Sequence, residues 1–481
     1  MTLARNTVYN LVGSAIPLAT SLVTVPIYLR VIGLERYGLL AICWVVLGYM
    51  EVFEFGLGTA TAQRVALLKD GGRETRSEAV WASLLLSLTL GTAGALLLPV
   101  LGPLVLDAAM SQRSIFTNEV AHAIGWLSLL VPLTTCHSAL SGALQGREEF
   151  LRLNIINSCG STAVTIAPLA AAICFSPELR ILVIALIAVR VLTVAMLLVA
   201  CRNSVPLGPP KLPSREALTS LLSFGAWVTG EGLLVPILLS AEKLAIGWFR
   251  TATAVSVYMI PFNILSRLLM LPQSLAAALI PRFAKIGPRE ADQTSRDGLR
   301  NLELLTTPIS IFAILALKPF LNVWIGSALA SECAPVGFVL IAGFWFNSCN
   351  HVPYARLIGI GRPDLVVKLI QILPYLALLY VTVRYAGVVG AAAVWSTRAA
   401  VELLLFLAAT RELRLVSEII LVPAALVVTA TTVAFIVPPP SFAGIVTLLI
   451  LMAIATVRMA TRLPLERTMA FARVARARNP R

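Results

Sequence analysis

The chain has 481 residues, of which 58% are hydrophobic and only 13% charged, and its mean hydropathy is +0.87. A water-soluble chain of this length needs more polar surface than that, so a soluble globular protein is excluded and lipid must cover much of the outside. The formal net charge of +14 is spread over short loops and the C-terminal stretch, a pattern of cytoplasmic loops under the positive-inside rule rather than of a nucleic-acid-binding face.

Two apolar segments open the chain, 7–29 and 38–62, with a polar turn between them, Arg30-Val-Ile-Gly-Leu-Glu-Arg-Tyr-Gly38. Roughly 20 apolar residues at about 1.5 Å rise cross a hydrocarbon core of about 30 Å, so each segment is long enough to span. The first is too long for a signal peptide and is followed at once by a second span without an A-x-A-like site, so it reads as a retained helix. Further apolar segments follow at 79–106, 120–143, 153–174, 180–201, 217–239, 252–280, 301–323, 335–357, 365–384, 387–409, 415–437 and 441–460, about 14 spans in all. The segments are continuous apolar runs, whereas barrel strands would be about ten residues long and alternating. The predicted fold class is an all-α polytopic membrane protein. Prolines recur inside the spans, among them Pro26, Pro132, Pro168, Pro236, Pro261, Pro308, Pro353 and Pro374, where each removes a helix hydrogen bond and permits a kink.

Orientation follows from Arg and Lys. With the N-terminus in the cytoplasm, the inside loops hold Arg64, Lys69, Arg73 and Arg76, then Arg147 and Arg152, Arg202 and Lys211, Arg282 to Arg300, Arg356 to Lys368, and the basic tail. The outside turns keep only a few, such as Arg36, Arg113, Arg180 and Arg250. This bias puts both termini in the cytoplasm and requires an even number of spans. The proline-bearing stretch 202–216 reads as a cytoplasmic connector between an N-terminal six-helix lobe, 1–201, and a C-terminal one, 217–410. A helix pair, 411–460, and a basic tail, 461–481, follow. The opening of the second lobe echoes the first: a long span, a turn with Glu242, Lys243, Gly247 and Arg250, then a span with Tyr258 near its start. Two such halves in the same orientation place a substrate site between them near mid-membrane.

A charge at mid-membrane costs at least about 2.5–3.5 kcal/mol, so each one kept there needs a partner or a wet cavity. The span limits put Glu51, Glu231, Arg267 and Arg398 near the midplane, with Glu54 slightly toward the cytoplasm and Arg30 at the outer end of the first helix. Arg398 and Glu402 are i,i+4 and can neutralise each other. Lys318, beside Pro319 near an outer end, can snorkel. Arg190 has no acid in its own span, and neither has Arg267, which makes Arg267 the strongest functional candidate. Glu51 and Glu54, i,i+3, share a helix face as coupling groups or structural partners. All five aspartates lie in loops or at span ends, which disfavours a cavity for cationic drugs; deep arginines suit phosphate oxygens. The seven cysteines form no C-x-x-C pair and read as buried thiols. The three histidines have no metal spacing, and the chain lacks a P-loop, so no metal or other cofactor is expected.

Particular stretches resemble a known family. They are Asn6-Thr-Val-Tyr-Asn10, Pro26-Ile-Tyr-Leu-Arg30 continuing to Gly38, and Gly48-Tyr-Met-Glu-Val-Phe-Glu-Phe-Gly56 continuing to Arg64. A second echo is Leu221-Leu-Ser-Phe-Gly-Ala-Trp227, and a third Pro319-Phe-Leu-Asn-Val-Trp-Ile-Gly326. Together they are similar to bacterial polysaccharide exporters, the O-antigen and capsule flippases of the multidrug/oligosaccharidyl-lipid/polysaccharide (MOP) superfamily. The motifs are mostly Gly, Pro and aromatic positions, which identify the superfamily better than the substrate. The resemblance implies a MATE-like arrangement of two six-helix lobes plus two C-terminal helices in the bacterial cytoplasmic membrane. It also implies alternating-access transport of an undecaprenyl-pyrophosphate-linked oligosaccharide, without covalent chemistry. Its partners would be that lipid-linked sugar, membrane lipids and other polysaccharide-assembly proteins. On this resemblance Arg30, Arg267 and, less directly, Arg398 line the cavity; Glu51, Glu54 and Glu231 depart from a purely cationic lining. Alternatives are an exporter of another substrate on the same fold, such as a peptidoglycan lipid precursor or a drug, and a membrane polysaccharide polymerase or ligase. A polymerase would be expected to carry a sizeable outer loop, and none is present in the sequence.

Overall fold

The computed structural model of the chain describes residues 20, 22–50, 54, 56–68, 73–109, 117–205, 208, 214, 240–360, 365–437 and 441–462. Glu51, Glu231, the span 217–239 and the basic tail from 463 lie outside the described residues, as does most of the connector 202–216. No strand occurs among the described residues. An isolated strand in lipid would leave its peptide groups unpaired, whereas a helix satisfies them within itself.

In chain order the helices are α1 (Leu22–Val31), α2 (Gly33–Met50), α3 (Leu57–Leu67), α4 (Arg73–Ala109), α5 (Thr117–Ser128), α6 (Leu130–Gly146), α7 (Phe150–Cys174), α8 (Leu179–Ser204) and α9 (240–249). They continue as α10 (Ala252–Leu265), α11 (Met270–Phe283), α12 (Pro288–Ile325), α13 (Ser327–Gly359), α14 (Leu365–Ala409), α15 (Leu421–Ile436) and α16 (Phe442–Arg462). Ten of the described helical stretches are long and apolar enough to cross a membrane. Many of their apolar side chains face outward, including Leu192, Val199, Val323 and Leu373. In water such a surface would aggregate; acyl chains cover it.

The spans are less regular than their apolar runs predict. The turn expected over 30–38 shrinks to a break at Ile32, and α2 begins at Gly33, whose φ of +81° only glycine adopts without strain. The predicted span 38–62 is interrupted, because Gly56 takes the left-handed region and α3 starts after it. The predicted span 252–280 is interrupted by a 3-10 turn at Ser266–Leu269. The two spans expected at 365–384 and 387–409 form α14, with a non-helical residue at Gly387. There the chain doubles back: a Cβ on Gly390 would lie 2.5 Å from the Thr382 carbonyl oxygen, an approach a straight helix forbids at eight residues' separation.

The chain divides into two compact units, Met1–Ser256 and Val257–Arg481. In the first, α3 and α6 cross at very short range. A Cβ on Gly142 would sit 2.1 Å from the Gly58 carbonyl oxygen, and one on Gly146 would sit 2.4 Å from that of Ala62. Gly58–Ala62 and Gly142–Gly146 are both small-xxx-small pairs, the device by which helices in lipid gain contact without a hydrophobic driving force. The core beside this crossing holds Val65, Val80, Leu140, Leu144, Leu153, Leu197 and Cys201. Across the α1–α2 break, Tyr28 donates to the Thr165 carbonyl of α7 at 2.8 Å, and Arg36 grips Glu119 of α5 through two nitrogens at 2.7 and 3.2 Å. The connector touches α4: Trp81 donates to the Gly208 carbonyl, and the Ser214 amide donates to Glu78.

In the second unit α13 is the most buried of the candidate spans. Gly343 lets α14 approach, since a Cβ there would meet Ser396 Oγ at 2.4 Å and the Trp395 ring at 2.6 Å. Phe262, Phe344 and Trp395 cluster around this contact in tilted and edge-to-face arrangements, with ring centroids 4.7–5.5 Å apart. α12 has 38 residues, about 57 Å of helix against a core of about 30 Å. Its polar first third, Pro288–Asn301, therefore projects beyond the hydrocarbon.

The cysteines split: Cys43, Cys201, Cys333 and Cys349 are buried as expected, whereas Cys159 and Cys174 are exposed on α7. A thiol costs little against lipid, so apolar surroundings in the sequence did not require burial within the protein.

The α3–α6 crossing makes a direct prediction. Gly142→Leu must separate two backbones and should cost about 3 kcal/mol or more. Gly125→Ala on α5, where a Cβ meets nothing within 4 Å, should be silent. Thermal unfolding of the detergent-solubilised protein, followed by size-exclusion fluorescence, checks both.

Candidate functional site

The charges kept inside the apolar segments fall into two groups. Arg30 and Arg267 are exposed, and neither has an ion-pair partner among the described residues. Both stand at helix discontinuities. Arg30 is the penultimate residue of α1, two residues before the Ile32 break, and Arg267 is the second residue of the 3-10 turn between α10 and α11. A break frees backbone groups and swings the side chain away from the helix face that packs inward. An exposed guanidinium suits a planar, multiply charged acceptor such as phosphate.

The other charges are committed to partners. Arg398 of α14 is only 6% exposed, and its Nη1 lies 3.4 Å from Glu402 Oε2 on the next turn. Its guanidinium sits 5.6 Å from the centre of the Tyr375 ring. Asn350 of α13 donates to the same Glu402 oxygen at 3.3 Å and to the Ala399 carbonyl at 3.2 Å, which ties α13 to α14. The i,i+4 pair expected from the sequence is formed, and Arg398 is buried with it. Glu54, just before α3, accepts a hydrogen bond from Ser138 of α6 beside the Gly58–Gly142 crossing. Its partner is thus a hydroxyl on a packed neighbour. Arg190 and Lys318 are half-buried.

Two ion-pair networks escaped the sequence reading. Arg458 of α16 lies 3.1 Å from Glu303 of α12, a carboxylate buried to 2% exposure, and fastens the last helix to the second unit. Arg356, at the end of α13, sits between two acids, with Nη2 2.7 Å from Asp292 and Nη1 2.5 Å from Glu412. Ser295 of α12 donates to Glu412 Oε2 at 2.9 Å. Arg296 pairs with Glu418, so α12, α13 and the stretch after α14 are bound at one end by charges. The partners lie far apart in sequence, and no periodicity joins them. The one available signal was that Asp292 and Glu412 flank spans whose ends carry arginines.

Among the described residues the arrangement thus combines helix breaks that carry exposed arginines with cores in which charges are paired. Against this geometry, a family profile for polysaccharide biosynthesis proteins matches residues 3–287, well over half of the 481-residue chain. The chain belongs to this family. As a polysaccharide biosynthesis protein it is also similar to "Putative O-antigen transporter" of Shigella flexneri, 25% identical over 408 residues that cover 84% of this chain and 97% of that one. Among solved structures, the lipid II flippase MurJ in an inward closed conformation superposes with a TM-score of 0.72 at 11% identity, covering 95% of this chain and 98% of that one. An inward-facing multidrug resistance MATE transporter of the MOP superfamily superposes with a TM-score of 0.70 at 16% identity, covering 85% and 99%. This member of the family therefore has the MATE-like all-α membrane fold. The matched segment of the polysaccharide biosynthesis protein contains Arg30, Glu54 and Arg267; Arg356, Arg398 and Glu412 lie beyond it.

The Arg356 cluster supplies a prediction with a sign. Glu412 lies outside the spans, and burial pushes its carboxyl above the ordinary value of 4.5. Arg356, Ser295 and Thr410 pull it back down, and Asp292 pushes it further up. A raised folded-state value means the folded protein holds the proton more tightly. Its stabilising contribution is complete below about pH 4.5 and fades as pH rises through the folded value. Glu412→Gln cannot titrate, so the stability of the parent relative to this variant should fall as pH increases over that window. Arg356→Met should lose about 3–5 kcal/mol at pH 7 by leaving Glu412 unpaired and buried. It should also extend the pH dependence upward. Thermal melts from pH 4 to 8 measure both.

Proposed function

We propose that this chain carries an undecaprenyl-pyrophosphate-linked oligosaccharide, the repeat unit of an O-antigen, capsule or exopolysaccharide, from the cytoplasmic to the outer leaflet of the bacterial cytoplasmic membrane. The observation that carries this reading is the family match over residues 3–287, joined to a likeness that runs through 97% of a relative named for O-antigen transport. The work is transport by alternating access with no bond made or broken in the cargo. Both termini lie in the cytoplasm, and the two six-helix lobes are 1–201 and 217–410, joined by the connector 202–216. The pair 411–460 is accessory, and other polysaccharide-assembly proteins supply and consume the cargo.

In this reading Arg30 and Arg267 meet the pyrophosphate. They combine exposure, lack of an ion-pair partner among the described residues and position at a helix break. Bidentate charge-assisted hydrogen bonds offset the desolvation of the phosphates as the headgroup leaves water. Arg398 reaches cargo only in a conformation that parts it from Glu402, and in the present one it positions α14. Glu54 acts through the α3–α6 crossing as a structural partner.

The test reconstitutes the protein in liposomes with a fluorescent lipid-linked oligosaccharide and follows leaflet exchange by quenching with a membrane-impermeant reductant. Exchange should exceed that of empty liposomes. Arg267→Ala and Arg30→Ala should each slow it by about tenfold or more at unchanged protein abundance, whereas Arg398→Ala should lower thermal stability first. Exchange equal to empty liposomes, with the glycan growing longer, would replace transport by polymerisation.

Orientation has its own check. Cys174 is exposed at the end of α7, on the outer side if the N-terminus is cytoplasmic. A variant keeping this thiol alone should react with a membrane-impermeant maleimide added to intact spheroplasts. Reaction only after permeabilisation would invert the topology.

A further inference from the structure

Helices α7 and α8 form an antiparallel hairpin whose short connection lies at 175–178. At the other end of the hairpin, where α7 starts and α8 stops, a cavity of about 520 Å³ lies between them. Ile155, Met196 and Val199 line it with largely exposed apolar side chains, over a floor that includes Ile156 and Ala200. Arg152 and Asn203 complete the lining and bring its polar groups.

Arg152 is held over this mouth. Its Nη1 donates to Ser204 Oγ at 2.8 Å, and its Nε lies 3.8 Å from Glu149 Oε2. One of five N–H groups is spent in a hydrogen bond, so the guanidinium stays able to grip an oxyanion. Arg147 follows α6 and Arg202 lies in the last turn of α8, so the basic groups at this end outnumber the nearby acids Glu148 and Glu149. An open apolar groove that ends at a guanidinium bonded to Ser204 matches a molecule with an alkyl chain and an anionic head. Basic clefts between membrane helices at the cytoplasmic surface bind anionic lipid in this way.

We infer that the cleft between α7 and α8 is a binding site for an anionic glycerophospholipid, with its phosphate on Arg152 and one acyl chain along Ile155, Met196 and Val199. The site uses none of the groups assigned to the cargo, and its occupation stiffens the hairpin by filling a gap that protein atoms leave open. Phosphate on Arg152 also replaces Glu149 as its charge partner, so binding depends on salt concentration while the apolar slot sets chain preference.

Native mass spectrometry of the detergent-purified full chain tests the site. Phosphatidylglycerol, phosphatidylcholine and undecaprenyl phosphate are added separately at equal concentration. Phosphatidylglycerol adducts should persist on the parent. They should weaken about tenfold in Arg152→Ala, which loses the charge-assisted contact, and in Met196→Trp, which fills the slot. Melting of each lipid-free variant must match the parent; if Met196→Trp unfolds early, Met196→Phe takes its place. Equal retention of phosphatidylcholine, unchanged phosphatidylglycerol binding in both variants, or preferential capture of undecaprenyl phosphate would each overturn the assignment. The lipid arms read binding without transport, so a failure here leaves the cargo assignment standing.

Discussion

Inside a hydrocarbon core every polar group must find its partner within the chain, and this requirement organises the rest of the structure. Backbone groups meet it by being helical. Side-chain hydroxyls meet it by back-bonding to the preceding turn, as Thr24, Thr61, Thr193 and Thr306 do. Charges meet it by pairing: Arg398 with Glu402 and Arg458 with Glu303. Arg30 and Arg267 stand out because their exposed guanidiniums are left outside such pairing among the described residues.

Each compact unit solves the packing problem with the same chemistry. Lipid contacts are as apolar as leucine contacts, so helices gain little by hiding leucines from lipid. They gain by approaching until backbones touch, which only small residues allow. Gly58 against Gly142 does this in the first unit, and Gly343 against Ser396 in the second. Closeness of this kind leaves little slack, so motion is left to the places where helices are already broken: Ile32–Gly33, Gly56, Ser266–Leu269 and Gly387. Arg30 adjoins the first of these breaks and Arg267 lies within the third.

The apolar run 365–409 was read as two spans, and Gly387 divides it as expected because a turn signal in an apolar run is local. The runs 38–62 and 252–280 were read as single spans, and both are interrupted, because glycine and proline in membrane helices mark kinks only when neighbours force them. Arg398 and Glu402 were legible as an i,i+4 pair, since helical spacing alone brings them together. Their burial was not legible, because it depends on Asn350 and Tyr375 from other parts of the chain. The Arg356 cluster had no signal beyond acids and arginines at span ends, because Ser295 and Glu412 meet across 117 residues.

By itself the sequence determined that the chain is helical and crosses a membrane many times. Those properties follow from the length and apolarity of each segment taken singly, against a bilayer of fixed thickness. It also narrowed the chemistry to a handful of intramembrane charges, because any charge in an apolar run is costly wherever it ends up. Only the tertiary structure decided which of those charges are spent on pairing within the chain, and where α7 and α8 leave a cleft with an arginine at its mouth. Those outcomes depend on which helix faces meet, and that is set by close contacts between glycines and side chains far apart in sequence.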